Sequence, residues 1–289
     1  MFGRMADQIS RAVLVTGCSS GIGRATAQRL AARGHTVYAT ARRVDTISDL
    51  AARGCRVLAL DVTDEASMRA AVDVVCDEHG AVGALVNNAG YSQSGAVESV
   101  APADVRRQFE TNVFGLVRMC QLVLPGMRAQ RRGRIVNVSS MGANFTFPGG
   151  GLYHATKYAV EAISDALRFE LAGFGVEVVV IQPGIIRTGF ADAATGAIGV
   201  ATPDDGPYAS FNAAVAGSTK SVYERGPLAR LGGRPEAVAR AIERAITARS
   251  PRIRYRVTPS AHLLIGVRRL MTAGMWDRFV ATQFPRPGE

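Results

Sequence analysis

The segment Thr16-Gly17-Cys18-Ser19-Ser20-Gly21-Ile22-Gly23 stands between the apolar run Ala12-Val13-Leu14-Val15 and Arg24-Ala25-Thr26-Ala27-Gln28-Arg29-Leu30-Ala31, whose apolar residues recur at helical spacing. That order is strand, glycine turn, helix. Gly17 permits a tight turn, while Gly21 and Gly23 let the backbone approach a pyrophosphate and let the helix pack close to the strand. The helix N-terminus then presents unpaired N–H groups to the anion. A glycine triplet alone says little, but this one has the flanking strand and helix that a dinucleotide-binding turn requires.

The rest of the chain continues the alternation. Residues 36–40 and 56–60 read as strands with a short helix over 46–53 between them, followed by a helix over 64–80 and a buried strand over 84–86. A long helix over 102–130, a strand over 134–138, a helix over 152–173 and a strand over 176–181 come next. A helix over 235–248, a strand near 253–257 and an apolar C-terminal helix over 261–281 complete the series. Short continuous apolar strands separated by amphipathic helices imply a parallel sheet covered on both faces. Right-handed crossovers then predict an α/β doubly wound sheet of the Rossmann type, in the order 3-2-1-4-5-6-7. Residues 189–233 break the pattern, being rich in Gly, Ala, Ser and Pro with Phe190, Tyr208, Phe211 and Tyr223 interspersed. Short helices forming a mobile cover are expected there, over the carboxyl end of the sheet where ligands bind.

With 289 residues, no internal repeat and no low-complexity linker, one domain spanning 1–289 is expected. The net charge of +10 admits a nucleic-acid partner, but the arginines are scattered, their densest groups being Arg131-Arg132-Arg134 and Arg252-Arg254-Arg256. They read mostly as solvated faces, a smaller share serving an anionic cofactor, so no specific nucleic acid is expected. Cys18, Cys55, Cys76 and Cys120 have neither zinc-site spacing nor disulfide density, and read as free thiols in a reducing compartment. The first residues lack the apolar core of a signal peptide, and no stretch has the ~18 apolar residues of a membrane span. A cytoplasmic location is the expectation. The apolar C-terminal segment through Leu270 and Trp276 is expected to be a packed helix or subunit contact rather than a membrane anchor.

Of the 34 basic residues only Lys157 and Lys220 are lysines, and Lys157 follows Tyr153 by four positions. On a helix both side chains project from one face. A compact ammonium can donate to a ribose hydroxyl and depress the pKa of a neighbouring phenol, which suits a tyrosine acid/base poised by lysine.

These motifs together resemble the classical short-chain dehydrogenase/reductase family, from about residue 12 to about residue 190. The glycine turn is similar to the family's TGxxxGxG, Asn87-Asn88-Ala89-Gly90 to its NNAG, and Tyr153 with Lys157 to its YxxxK. The resemblance implies Asn112, Ser140, Tyr153 and Lys157 as catalytic residues. Ser140 rather than Ser139 is thirteen residues before the tyrosine. In that reading Ser140 holds the substrate oxygen, Tyr153 exchanges the proton, Lys157 grips the nicotinamide ribose, and Asn112 holds a water leading from Lys157 to solvent. The resemblance also implies cofactor contacts from Gly17, Ser19, Ser20, Gly21, Ile22, Gly23, Asp61, Val62, Asn88, Ala89, Gly90, Pro183, Gly184, Ile186 and Thr188. Homodimers or homotetramers are implied too, with the helices at 102–130 and 152–173 as candidate interfaces.

At the end of the second strand, where a site selective for NAD(H) places an acid, the chain reads Ala41-Arg42-Arg43. A guanidinium there clamps a 2′-phosphate, so NADP(H) is preferred, Arg42 being the main contact and Arg43 a second. Ser19 and Ser20 occupy the family's other basic position, leaving NAD(H) as an alternative. Met141, Phe145, Phe147, Phe190 and Tyr208 near the expected pocket suit an apolar ketone, aldehyde or secondary alcohol. The run from Thr36 to Arg43 and the long cover resemble the branch containing hydroxysteroid and retinol dehydrogenases. The competing reading is a catalytically silent protein of the same fold that senses nicotinamide redox state, a class that generally loses a catalytic side chain.

Overall fold

The computed structural model describes residues 9–189, 206–224 and 227–287. Its strands are β1 Val13–Val15, β2 Val37–Ala41, β3 Cys55–Ala59, β4 Ala84–Asn87, β5 Gly133–Val138, β6 Val176–Pro183 and β7 Arg254–Val257. They form one sheet in the order β3-β2-β1-β4-β5-β6-β7, as the sequence predicts, and every neighbouring pair is parallel. The described helices are α1 Gly21–Ala32, α2 Glu65–His79, α3 Pro102–Phe109, α4 Gly115–Ala129, α5 Gly151–Leu171, α6 Ala209–Glu224, α7 Pro235–Thr247, α8 Pro259–Leu270 and α9 Ala273–Ala281.

Successive strand residues divide between two cores. In β1, Val13 and Val15 join one cluster and Leu14 the other; in β6, Val179 and Ile181 face the first, Val176 and Val178 the second. Both faces are therefore apolar, which is why the strands read as unbroken apolar runs. Ala27 and Leu30 of α1 and Val238 and Ile242 of α7 cover the first face. Val72 and Val75 of α2, Met119 and Val123 of α4 and Val160 of α5 cover the second.

Three segments depart from the sequence reading. The short helix over 46–53 is a 3-10 helix over Val44–Arg53, whose buried residues Ile47 and Leu50 stand three apart, the repeat of that tighter winding. The long helix over 102–130 is interrupted by a π turn over Glu110–Phe114, between α3 and α4. The C-terminal helix over 261–281 is two helices, α8 and α9. Met271 is extended, and the Thr272 hydroxyl accepts from the Met275 N–H as the N-cap of α9. A side chain that binds the backbone in this way starts a new helix rather than continuing an old one. Within the expected cover over 189–233, the described part holds α6, a longer helix than the short ones expected; residues 190–205 and 225–226, with Phe190, lie outside the described residues. Among the described residues no helix is long and apolar enough to cross a membrane.

Trp276 pins α9 to the body of the protein. It is 5% exposed, packs against Phe145 and Phe147 at ring-centroid distances of 5.4 and 5.5 Å, and donates its indole N–H to the Thr146 carbonyl at 3.2 Å. Trp276→Ala should cost roughly 3–5 kcal/mol of stability. Urea unfolding measures the loss, and faster proteolysis after residue 270 than in wild type locates it.

Candidate active site

The carboxyl ends of β1 and β4 are locked together by side chains that also fix the glycine turn. The Thr16 hydroxyl accepts from the backbone N–H groups of Asn88 and Ala89, both at 3.0 Å. Asn88 returns its amide to the carbonyls of Thr16 at 2.9 Å and Gly17 at 3.1 Å. Asn88 thus braces the turn.

The turn passes a direct test of fit for a dinucleotide. Gly17 and Gly21 have φ of +72° and +56°, and a Cβ on Gly23 would lie 2.3 Å from the Gly17 carbonyl oxygen. No larger residue fits that contact. Ser20 precedes α1 in extended backbone and makes no side-chain cap, so the first N–H groups of α1 keep their pull on an anion. A Cβ on Gly21 would meet Thr188 at 3.3 Å, so the segment after β6 lies over the turn. Gly184 follows Pro183 and leans on α8, its N–H donating to the Val257 carbonyl at 3.0 Å. The Ile186 side chain is in the core, which leaves only its backbone to face the cleft. Arg42 and Arg43 follow β2 with exposed side chains, and among the described residues neither forms an ion pair. Asp61 follows β3; one of its carboxylate oxygens accepts from the Thr63 N–H and hydroxyl at 2.9 and 2.8 Å, and Val62 beside it is buried. Cys18 is fully buried and its thiol is pushed up to about 12 by that burial, so it is inert in the turn.

Ser140 lies at the exit of β5 and Tyr153 in the first turn of α5. The Ser140 Oγ accepts from the Gly142 N–H at 3.1 Å, which directs its own proton elsewhere; it hydrogen-bonds the Tyr153 phenol. Burial pushes the Tyr153 phenol up to about 12, against the opposing pull of Ser140. The Lys157 ammonium stands 5.7 Å from the centroid of the Tyr153 ring and donates to the Val138 carbonyl at 2.9 Å. Burial lowers Lys157 to about 8, against the partial support of Glu161. Ser139, by contrast, is 3% exposed and its hydroxyl is unpartnered in the core.

The π turn places Asn112. Its carboxamide oxygen accepts from the Tyr91 N–H at 3.0 Å, and its amide donates to the Tyr91 carbonyl at 2.8 Å and the Thr156 hydroxyl at 3.1 Å. A Cβ on Gly90 would lie 3.1 Å from the Asn112 oxygen and 3.7 Å from Lys157 Nζ. The two groups therefore face one point that the glycine leaves open. The carboxamide oxygen has a second lone pair for a bridging water there.

An apolar cleft of about 460 Å³ borders the start of α5, lined by Ala96, Pro148, Gly149, Tyr208, Phe211 and Phe284 among others. Tyr208 also donates to Glu98 at 2.6 Å. Phe145 and Phe147 pack in the Trp276 cluster with Met141 against it, and Phe147 reaches Phe284 at 6.3 Å between centroids.

Thr156 and the approach of Tyr223 escaped the sequence reading, which directs the His154 side chain away from Tyr153 around the helix and leaves it structural. Thr156 donates to the Tyr153 carbonyl at 2.7 Å while accepting from Asn112, tying the π turn to α5. His154 places one ring nitrogen 2.7 Å from the Gly142 carbonyl and accepts with the other from the Phe147 N–H at 3.4 Å. It holds the loop after Ser140 onto α5, and burial lowers its pKa, keeping it neutral. Tyr223 of α6 stands near enough to Tyr153 for their charges to oppose each other; burial first, and that opposition second, raise its pKa. Only a fold contact over long separation could reveal it.

Residues 11–197 match the family model described as short chain dehydrogenase. A 3-ketodihydrosphingosine reductase of Bacteroides thetaiotaomicron is 38% identical over 253 residues, covering 87% of this chain and 89% of that protein. Among solved structures, a serine dehydrogenase complexed with NADP+ superposes with a TM-score of 0.73 at 29% identity, covering 86% of this chain and 94% of that one. A short chain dehydrogenase/reductase of Burkholderia phymatum in complex with NAD gives 0.75 at 25% identity, covering 97% of each chain. With its parallel sheet, glycine cradle and covering helices, the chain belongs to the short-chain dehydrogenase/reductase family of oxidoreductases.

Proposed function

We propose that the protein is an NADP(H)-dependent carbonyl reductase or alcohol dehydrogenase, acting on an apolar ketone, aldehyde or secondary alcohol through Asn112, Ser140, Tyr153 and Lys157. One observation carries the reading: the Ser140 hydroxyl meets the Tyr153 phenol, whose ring centroid stands 5.7 Å from the buried Lys157 ammonium. A protein that only sensed the cofactor would have no use for a buried charge beside a phenol held by a serine hydroxyl. The likeness to a reductase named for a keto compound supports a carbonyl substrate, and Tyr208 lines an apolar cleft that borders the start of α5.

Bound nicotinamide supplies the hydride in reduction and accepts it in oxidation. Gly17 to Gly23 would cradle its pyrophosphate, with Asp61 and Val62 toward the adenine and Asn88, Ala89 and Gly90 along the ribose. Arg42 and Arg43 would hold a 2′-phosphate, and Pro183, Gly184, Ile186 and Thr188 the carboxamide. In reduction the Tyr153 phenol gives its proton to the carbonyl oxygen, which the Ser140 hydroxyl steadies with a hydrogen bond. Protonated at neutral pH, the phenol is in the form this direction requires. Lys157 would donate to a ribose hydroxyl, and a water held between Lys157 and Asn112 would pass a proton from solvent toward Lys157 to restore the Tyr153 phenol. The exposed Phe114 and Phe169, 54% and 89% accessible on the π turn and α5, support a homo-oligomer built through these helices.

Tyr153→Phe should lower kcat at least about a hundredfold while leaving NADPH binding nearly intact. Stopped-flow turnover and fluorescence titration separate the two effects, and unchanged turnover would defeat the mechanism. Arg42→Ala should weaken NADPH roughly 10- to 100-fold and NADH little; equal losses would place the 2′-phosphate elsewhere. Lys157 adds a pH test. Its folded pKa of about 8 lies below the ordinary 10.5, so the unfolded chain holds more protons between those values and stability rises with pH across that window. The buried charge costs roughly 3 kcal/mol below pH 8, relieved as pH climbs. Wild type should therefore gain stability relative to Lys157→Met from pH 8 to 10.5 in denaturant titrations, and a constant difference would contradict the burial.

A further inference from the structure

One turn beyond Lys157 on α5, Glu161 shares its helix face, about 5–6 Å away between Cβ atoms. The Glu161 side chain is 12% exposed, and the sheet holds both of its carboxylate oxygens. Gln182 of β6 donates its amide to one at 3.0 Å, and Arg254 of β7 donates its Nε–H to the other at 2.9 Å. The far arm of Arg254 meets both oxygens of Asp165 at 2.6 and 2.7 Å, and Asp165 pairs in turn with Arg168. Charge therefore alternates from the buried Lys157 through Glu161, Arg254 and Asp165 to Arg168, with Asp165 already 45% exposed.

The sheet register brings the inner two charges together. Lys157 ends on the Val138 carbonyl of β5, and Val138 pairs with Ile181, the residue before Gln182 on β6. Neighbouring strands lie about 4.8 Å apart, so the ammonium and the carboxylate end over adjacent points of the sheet's carboxyl edge. A bracket that only fastened α5 to β6 and β7 would need an acceptor at 161, and a neutral carboxamide would serve. The negative charge has another use. Of the groups facing Lys157, the Tyr153 phenol, the Asn112 carboxamide and the Val138 carbonyl are uncharged at neutral pH. Burial works against an ammonium there, and a carboxylate that water barely screens works for it.

We propose, resting on the function proposed above, that Glu161 is a positioning residue that keeps the Lys157 ammonium charged in its buried place, with Gln182 and Arg254 fixing the carboxylate for that task. A charged Lys157 stabilises the tyrosinate left when Tyr153 gives up its proton. The edge strand β7 is thereby coupled to the chemistry through Arg254, although none of its residues enters the dinucleotide cradle. Arg254 also keeps the carboxylate ionised from the far side, and Asp165 shares that cation with it.

The chain has only two lysines, so lysine labelled with carbon-13 at Cε gives two signals in nuclear magnetic resonance, the exposed Lys220 serving as reference. The Lys157 midpoint, about 8 in the wild type, should fall by about one pH unit or more in Glu161→Gln. That variant keeps the bracket, because the Gln182 carboxamide oxygen is unpartnered and can turn to accept from the new amide. Arg254→Gln cuts the bracket and spares the carboxylate, so it should leave the midpoint at or above the wild-type value. An unmoved midpoint in Glu161→Gln, or a fall of the same size in Arg254→Gln, overturns the proposal. The titration needs no substrate. In turnover, the alkaline loss of kcat should begin at correspondingly lower pH in Glu161→Gln. A shifted titration with an unshifted kcat profile would uphold the pairing and count instead against the proposed part of Lys157 in the reaction.

Discussion

A sheet whose strands all run parallel opens every carboxyl end on one edge, and that constraint organises the whole molecule. Gly17 follows β1, Arg42 β2, Asp61 β3, Asn88 β4, Ser140 β5 and Gly184 β6. Residues more than 160 positions apart are thereby delivered to a single crevice without any of them needing to be near another in sequence. The crossovers that parallel strands demand are the helices that bury both faces, so the apolar covering and the polar edge have one cause. The Thr16 and Asn88 side chains close the joint between β1 and β4 at the centre of this edge.

This explains which parts were legible. Strand order and strand positions follow from consecutive apolar residues and from the rule that crossovers turn one way, both local or generic properties. The glycine turn was legible because only glycine permits the contact at Gly23. What escaped depends on partners remote in the chain. The π turn at Glu110–Phe114 is secured by Asn112 bonding Tyr91 and Thr156, twenty-one and forty-four residues away. A hydrophobic pattern averaged over α3 and α4 passes through it unaltered. The break between α8 and α9 rests on one Thr272 cap and on Trp276 turning inward, and its apolar residues look continuous when read in line. Sequence could name the residue types at the candidate site and leave His154 structural, but not show the braces that Thr156 and His154 make.

The proposed site also shows a tension between stability and chemistry. Tyr153 and Lys157 are both desolvated, and desolvation favours the neutral form of each: it raises the phenol and lowers the ammonium. A dry crevice therefore holds the tyrosine proton in place and loosens the lysine proton, widening the gap between two groups that differ little when free in water. Ser140 works against burial at Tyr153, and Glu161 works against it at Lys157, so each member of the pair has a neighbour that keeps its charged form within reach. The folded chain tolerates this cost because the two covering cores are extensive on either side of the sheet.

The same reasoning accounts for lysine at 157 in a chain that otherwise uses arginine almost everywhere. The position is 7% exposed, and its ammonium donates to the Val138 carbonyl. A guanidinium would bring five donors into that space and a charge that cannot be given up, leaving most of its N–H groups buried without acceptors. It would also fill the point near Gly90 that lysine and Asn112 leave open between them. A single compact ammonium needs few partners, titrates within reach of neutrality, and leaves the space beside Gly90 open. On the β7 edge, where side chains reach solvent and an acidic pair holds Arg254, those restrictions vanish and arginine returns.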